Sequence, residues 1–337
     1  MLPKQPLNRF MKYGRKPFRK SIQAFDQQGV FLANAEQIAS ISSATAILEA
    51  VTKQSRKTKW ELVRQVPLDF PTHHPQGLAF AGDYLFLSSV EVLEAPTNVF
   101  DPTRSTPGRG VGHMFVLDGK GELVRDITIG EGDMYHPGGI DFDGSNVWVP
   151  MGEYRPGANS MVLTVDPVTF AVSERFRVQD SIGWAISDRD TGTIYGGNWG
   201  SRRFYTWGED GEERDRWENP SGFIDYQDCQ FAKNGQAVCS GIAVLPQANG
   251  TGEYELGGVA IIDFINHRIV HETPLQIFSG AGHVLTRNPF ALTIDGEDLL
   301  LHVAPDDGFD VGGTQLLTFR ASITSGVLSA LPLPHAQ

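Results

Sequence analysis

The segment His74-Pro75-Gln76-Gly77-Leu78 returns 62 residues later, 74 to 136, as His136-Pro137-Gly138-Gly139-Ile140. Each copy opens an alternating apolar run that ends in a carboxylate, Glu91 in the first and Glu153 in the second. Recurrence at this distance marks one supersecondary module used repeatedly, and such modules bury their apolar faces only against their neighbours. The chain is therefore constrained to a repeat architecture.

The first copy runs through Gly77 to Phe80, Tyr84 to Ser88, His113 to Asp118 and Leu123 to Ile127. All four pieces have strand length, and turn signals such as Gly82-Asp83 and Gly119-Lys120-Gly121 stand between them. The second runs through Gly139 to Phe142, Asn146 to Val149, Met161 to Asp166 and Val172 to Val178. Further copies open at Gly183-Trp184, Asp228-Cys229 and Phe290-Ala291, and the last shows only three strands. Trp60 to Val66 supplies its fourth, which joins the two ends of the domain. Four-stranded units every 45 to 60 residues or so, without a helical period between them, predict an all-β chain forming a single β-propeller. Five blades is the count, with six as the alternative, and an N-terminal strand closes the ring. The predicted division is 1–58, a basic tail plus helix, and 59–337, the propeller.

The 37 Gly and 20 Pro suit a chain with this many turns. A formal net charge of -12 repels phosphate backbones and anionic headgroups, so nucleic acid is not an expected partner. No apolar run approaches the 18 to 20 residues or so of a membrane span, so a soluble protein is expected. Residues 1–20 carry seven basic residues and no acid, and Asn34 to Gln54 reads as an amphipathic helix capped at Asn34. The basic start lacks both the apolar core of a secretory signal and the Ser-rich amphipathic pattern of a transit peptide. A cytoplasmic location is the expectation, with mitochondrial or secreted destinations left open. Cys229 and Cys239 flank the turn Lys233-Asn234-Gly235, and a three-residue hairpin loop there would set them opposite each other. They read either as a bridge or as two small core residues.

In a propeller the innermost strand of every blade lines the axis, and the loops entering it and leaving the second strand emerge on one face. His73, His74 and Glu91 belong there from the first blade, and His136, Glu153 and Arg155 from the second. Ser181, Trp184, Trp199 and Arg202 come from the third, and Asp225, Tyr226 and Asp228 from the fourth. The fifth adds His283, Arg287, Asn288, His302 and Asp306. Titratable residues gathered at one end of an apolar channel have the form of a small-molecule site. His74, His136, Asp228 and His283 are the candidate catalytic groups; Asp228 and His283 do not recur between blades, as a requirement of the fold would. Glu91, Glu153, Arg155, Trp184, Trp199, Arg202, Tyr226 and His302 are the candidate substrate-binding groups. Glu91 and Glu153 have a structural alternative as ion-pair partners of Arg155 or Arg287, and His74 and His136 one as hydrogen-bond anchors between blades. The long segments 92–111, 154–160, 244–256 and 304–313 all leave second strands on this face and read as binding or lid loops.

A divalent metal is the candidate cofactor, because His74, His136, His283 and Asp228 are donors of the kind zinc accepts. No short-spaced metal motif, nucleophile elbow, Walker loop or dinucleotide fingerprint accompanies them.

Through His74-Pro75-Gln76-Gly77, Gly130-Glu131-Gly132, Glu153-Tyr154-Arg155-Pro156 and Trp199-Gly200-Ser201-Arg202-Arg203, residues 59–320 resemble a propeller family of unknown function from fungi and bacteria. Gln76-Gly77-Leu78, Gly130-Glu131-Gly132 and Ile182-Gly183-Trp184 are similar to the plant-type glutaminyl cyclases, a resemblance that implies five blades. The catalytic Glu of that family would fall near Leu87, so cyclase activity is not implied. Gluconolactonase-type propellers, which hydrolyse lactones with a channel-bound divalent cation, are a further resemblance at the level of the fold.

Three functions follow as expectations. The first is hydrolysis of an ester or lactone-like small molecule, with histidines activating water and Arg155 or Arg202 facing the oxyanion. The second is cyclisation or isomerisation of a natural-product intermediate of fungal secondary metabolism, in a pocket shaped by Trp184, Trp199 and Tyr226. The third is a binding scaffold without catalysis.

Overall fold

The computed structural model describes residues 44–98, 104–248 and 250–322. Helix α1 (Ala44–Thr52) precedes strand β1 (Trp60–Pro67). The first blade contains β2 (His74–Ala81), β3 (Tyr84–Glu94), β4 (Arg109–Leu117) and β5 (Leu123–Ile129). In the second, a broken inner strand, β6 (His136–Pro137) and β7 (Asp141–Phe142), is followed by β8 (Val147–Gly152), β9 (Ser160–Val165) and β10 (Val172–Val178). The third holds β11 (Ile182–Asp188), β12 (Thr193–Asn198), β13 (Arg203–Gly208) and β14 (Glu213–Glu218). The fourth holds β15 (Asp225–Lys233), β16 (Gln236–Pro246), β17 (Glu253–Asp263) and β18 (Arg268–Pro274). The fifth is β19 (Phe290–Asp295), β20 (Asp298–Val303) and β21 (Gln315–Ser322), completed by β1.

The chain is thus a five-bladed propeller and not a six-bladed one. Closure falls where the missing fourth strand required it: β1 pairs antiparallel with β21, from Trp60 opposite Ala321 to Pro67 opposite Gln315. Between every two adjacent blades lies one apolar layer. Phe86, Met114, Val149 and Met161 fill the first to second interface, and Trp148, Ile194 and Trp207 the second to third. Trp184, Phe204, Tyr226 and Phe264 fill the third to fourth. At the fourth to fifth interface, Ile47, Leu48 and Val51 of α1 join Val259, Leu292 and Leu301. The expected cap Asn34 and the basic segment lie outside the described residues.

Two details differ from the sequence reading. The fourth blade turns on Asn234 and Gly235 alone, both with positive φ (53° and 67°), as a two-residue hairpin requires. A register shift between Phe231 and Lys233 restores the pairing, so Cys229 still faces Cys239 and the two form a disulfide. The segments 92–111 and 244–256 are not wholly loops. β16 and β17 stay paired from Gln236 opposite Asp263 out to Pro246 opposite Glu253, and β3 pairs β4 as far as Glu94 opposite Arg109. A continued ladder satisfies backbone N–H and C=O groups that a loop would leave to water.

The axis itself is closed. A Cβ on Gly138 would lie 2.0 Å from the carbonyl oxygen of Gly183, and one on Gly77 would lie 2.6 Å from the amide nitrogen of Ile140. The glycines of the repeated His-Pro motif are therefore where inner strands of different blades touch. Among the described residues no helix is long and apolar enough to cross a membrane.

Candidate functional site

Above this plug, the starts of the inner strands and the ends of the second strands enclose a pocket with about 570 Å³ of free space, part of it open to solvent. His74 and His136 stand on its wall with Tyr154, Trp199, Glu153 and Asn288. The two imidazole centroids are 6.5 Å apart. Nδ1 of His74 is 2.6 Å from Oδ1 of Asp307, whose Oδ2 accepts from Arg287 at 3.2 Å. Burial works against the Asp307 carboxylate, but the His74 hydrogen bond and the Arg287 guanidinium hold its pKa below the ordinary value. A carboxylate on Nδ1 fixes the tautomer and leaves Nε2 as the ring's working nitrogen.

His136 lies in a different environment. Burial, reinforced by His74, pushes its pKa down to about 3, so the ring is neutral at neutral pH. It lies 4.3 Å from the ring of Tyr154, which stacks on Trp199 at 5.4 Å and 23°. Burial raises the Tyr154 pKa, and nearby Asp307 adds to the shift, so the phenol keeps its proton. Trp199 remains 38% exposed on the outer side of this aromatic wall. Glu153 lines the pocket but is engaged by Asn159 at 2.8 Å and by Arg155, whose Nη2 is 2.5 Å away.

The structure brings together His74, His136, Glu153 and Trp199, with Arg155 just behind them, and not the other candidates. Asp228 is fully buried at the axis. Its Oδ1 accepts from the amides of Ile140 and Cys229, and its Oδ2 from those of Leu78 and Phe290, which ties together inner strands of four blades. Burial pushes its pKa well up against these donors, with Asp141 adding to the rise. His283 bonds Glu255 at 2.8 Å, and its Nε2 is 3.4 Å from Asp310. The axial set of His74, His136, His283 and Asp228 therefore does not converge as metal donors.

The remaining candidates also lie elsewhere. Trp184 is buried, its Nε1 donating to the Ser201 hydroxyl, and Tyr226 is buried in the same interface. His302 is buried in the fifth blade between Thr293 and Thr318, against Phe80. Arg202 is spent on the carbonyls of Gly200, Ser221 and Ile224 and on the Asp225 carboxylate. Glu91 sits in the first blade beside His73 and His113. Asp307 is the residue that sequence reasoning missed. The signal available was the pair Asp306-Asp307, of which Asp306 accepts from the Ser279 hydroxyl and Asp307 meets His74.

A five-bladed propeller with a histidine pocket over a closed axis is the class that fold and site define. The chain belongs to the Family of unknown function (DUF6454), whose model matches residues 33–319. No curated protein matches the sequence. Among solved structures it is similar to the tail fiber of Staphylococcus aureus phage P68 (TM-score 0.50, 7% identity, 83% of this chain and 56% of that one). It is also similar to a luciferin-regenerating enzyme (TM-score 0.43, 9% identity, 79% and 95%). For Kuenenia stuttgartiensis hydrazine synthase the TM-score is 0.37 at 14% identity, over 71% of this chain and 58% of that one. The chain thus spans less than two thirds of the hydrazine synthase and tail-fiber chains.

Proposed function

We propose that the protein is a small-molecule enzyme working by acid–base chemistry in the pocket above the axis, and that its reaction is hydrolysis of an ester or lactone. The observation that carries this reading is the 2.6 Å contact between Asp307 and His74, on a ring that lines the pocket beside a neutral imidazole. His74, oriented by Asp307, takes a proton from water through Nε2. His136, neutral because burial disfavours its charged form, donates a ring N–H to the substrate carbonyl, and protonated Tyr154 is a further donor nearby. Trp199 supplies an apolar wall.

One observation favours a second reading. No Arg or Lys lines the pocket among the described residues; Arg155 is bound to Glu153 and Arg287 to Asp307. A site with neutral donors and one oriented base also suits isomerisation or cyclisation by proton transfer.

A panel of lactones, aryl esters and enolisable ketones assayed in ¹⁸O-labelled water separates the two. Hydrolysis adds the mass of one water, with the label in the new carboxylate, whereas isomerisation leaves the product with the substrate's composition, any label in a ketone coming from carbonyl exchange alone. His74→Ala should lower turnover roughly a hundredfold or more on the accepted substrate. Unchanged turnover in that variant would remove His74 from the chemistry.

A further inference from the structure

At the outer edge of the pocket-bearing face, His73, Glu91 and His113 converge in the first blade, their donor atoms all within 4.8 Å of one another. Nδ1 of His73 is 3.9 Å from one oxygen of Glu91, and Nε2 of His113 is 3.9 Å from the other. The two imidazoles stack at 5.0 Å and 16°. His113 is buried, its side chain only 9% exposed, and its Nε2 has no hydrogen-bond partner. Its Nδ1 lies 2.9 Å from the Asp126 carboxylate. Where Nδ1–H is donated to Asp126, Nε2 is left as the ligand nitrogen, 3.9 Å from Glu91. A buried nitrogen left unpaired forfeits its hydration without replacement, so a site that keeps one calls for a partner.

We propose that His73, Glu91 and His113 form a binding site for a divalent transition ion of the zinc class, with Asp126 as the residue that orients His113. Two imidazole nitrogens and one carboxylate oxygen are a set that zinc accepts, whereas calcium and magnesium prefer oxygen. Zinc bonds of about 2.0 to 2.2 Å place neighbouring donors roughly 3.3 Å apart, so the site closes by small rotations of Glu91 and His73. Glu91 keeps 37% of its side chain exposed, which leaves an entry path and an open coordination position.

The backbone is arranged to present these groups. His73 has φ of 56°, a conformation unfavourable for a side-chain-bearing residue, and it is held there from both sides. Its carbonyl accepts the Gly308 amide of the fifth blade, and the carbonyl of Thr72 accepts the Ser89 hydroxyl of the first. His73 lies on the link from the closing strand β1 to β2, so an ion bound here fastens that link to the first blade.

The test uses the full chain, stripped with EDTA and titrated with zinc chloride by calorimetry, with Tm followed in parallel and cobalt as a spectroscopic stand-in. One zinc per chain, a Tm that climbs with zinc concentration and a cobalt visible band are expected. Glu91→Gln and His113→Gln should abolish all three, and Asp126→Asn should weaken binding about 10 to 100-fold without changing the stoichiometry. Should His113→Gln fail to fold, His73→Gln and Glu91→Gln carry the test. Absence of a one-to-one site overturns the proposal, as does zinc binding undiminished in those variants. So does a variant Tm loss that is the same in EDTA and in zinc, because the cluster would then be an ion-pair network centred on protonated His113.

Discussion

Asp228 shows how a structural residue can look catalytic in a sequence. A requirement of the fold should recur in every blade, and Asp228 does not; but the axis is common to all blades, so one carboxylate on it serves four of them. Asp228→Asn would point amide hydrogens at backbone N–H groups, and we expect a loss of about 3 to 5 kcal/mol in denaturant unfolding, the scale of breaking a buried polar network. A loss under about 0.5 kcal/mol, as for a surface change, would refute the hub. His302 gives a pH test. Burial, with Arg64 adding to it, pushes its pKa down to about 3, so the folded chain holds it neutral while the unfolded chain takes up a proton near the ordinary value of 6.5. Its contribution is complete above that value and is lost as pH falls from about 6.5 towards 3, amounting to roughly 2 kcal/mol between pH 7.5 and 5. Asp141, pushed up to about 8 by burial, acts in the opposite sense, destabilising as pH rises from about 4 to 8. The readout is therefore the difference in slope between wild type and His302→Gln, and equal slopes would contradict a neutral buried His302.

At the scale of the element, what was legible depended on how local the cause was. Alternation and turn residues located the strands of the first two blades, the opening strands of the other three and the closing strand β1, because strand period and turn chemistry are written in consecutive side chains. The extent of the β3–β4 and β16–β17 hairpins was not, since the pairing out to Glu94 opposite Arg109 and Pro246 opposite Glu253 runs through backbone groups that every residue carries. The Cys229–Cys239 bridge joins neighbouring strands of the fourth blade. Closing a loop with a sequence separation of 10, it should contribute about 2 to 3 kcal/mol, which replacement of both cysteines by serine would remove. Alkylation of the unfolded, unreduced protein should add no mass. Two labelled thiols would show the pair to be reduced, the state ordinary for the cytoplasmic location first expected.

At the scale of the whole molecule, convergence around a closed ring decides which residues meet, and the repeat alone gives only the face. His74 and His136 were traceable because equivalent positions in adjacent blades must be neighbours. Asp307 was not, because side chains in an irregular loop follow no alternation and its neighbour Asp306 turns the other way. The closure of the ring is the feature on which this convergence depends. Without β1, the edge of β21 is open and the layer of Leu68, Leu78, Phe115 and Leu316 between the fifth and first blades loses its anchor. An unpaired edge in a ring is both a lost ladder and an aggregation template. A chain beginning at Leu68 should therefore unfold at lower denaturant and without a single sharp transition, whereas one beginning at Ala44, which keeps α1 and β1, should retain a cooperative one. If the shorter chain melts with the midpoint and slope of the longer, β1 does not hold the ring, and the positions of His73 and His74, which follow it directly, must be fixed by the first blade alone.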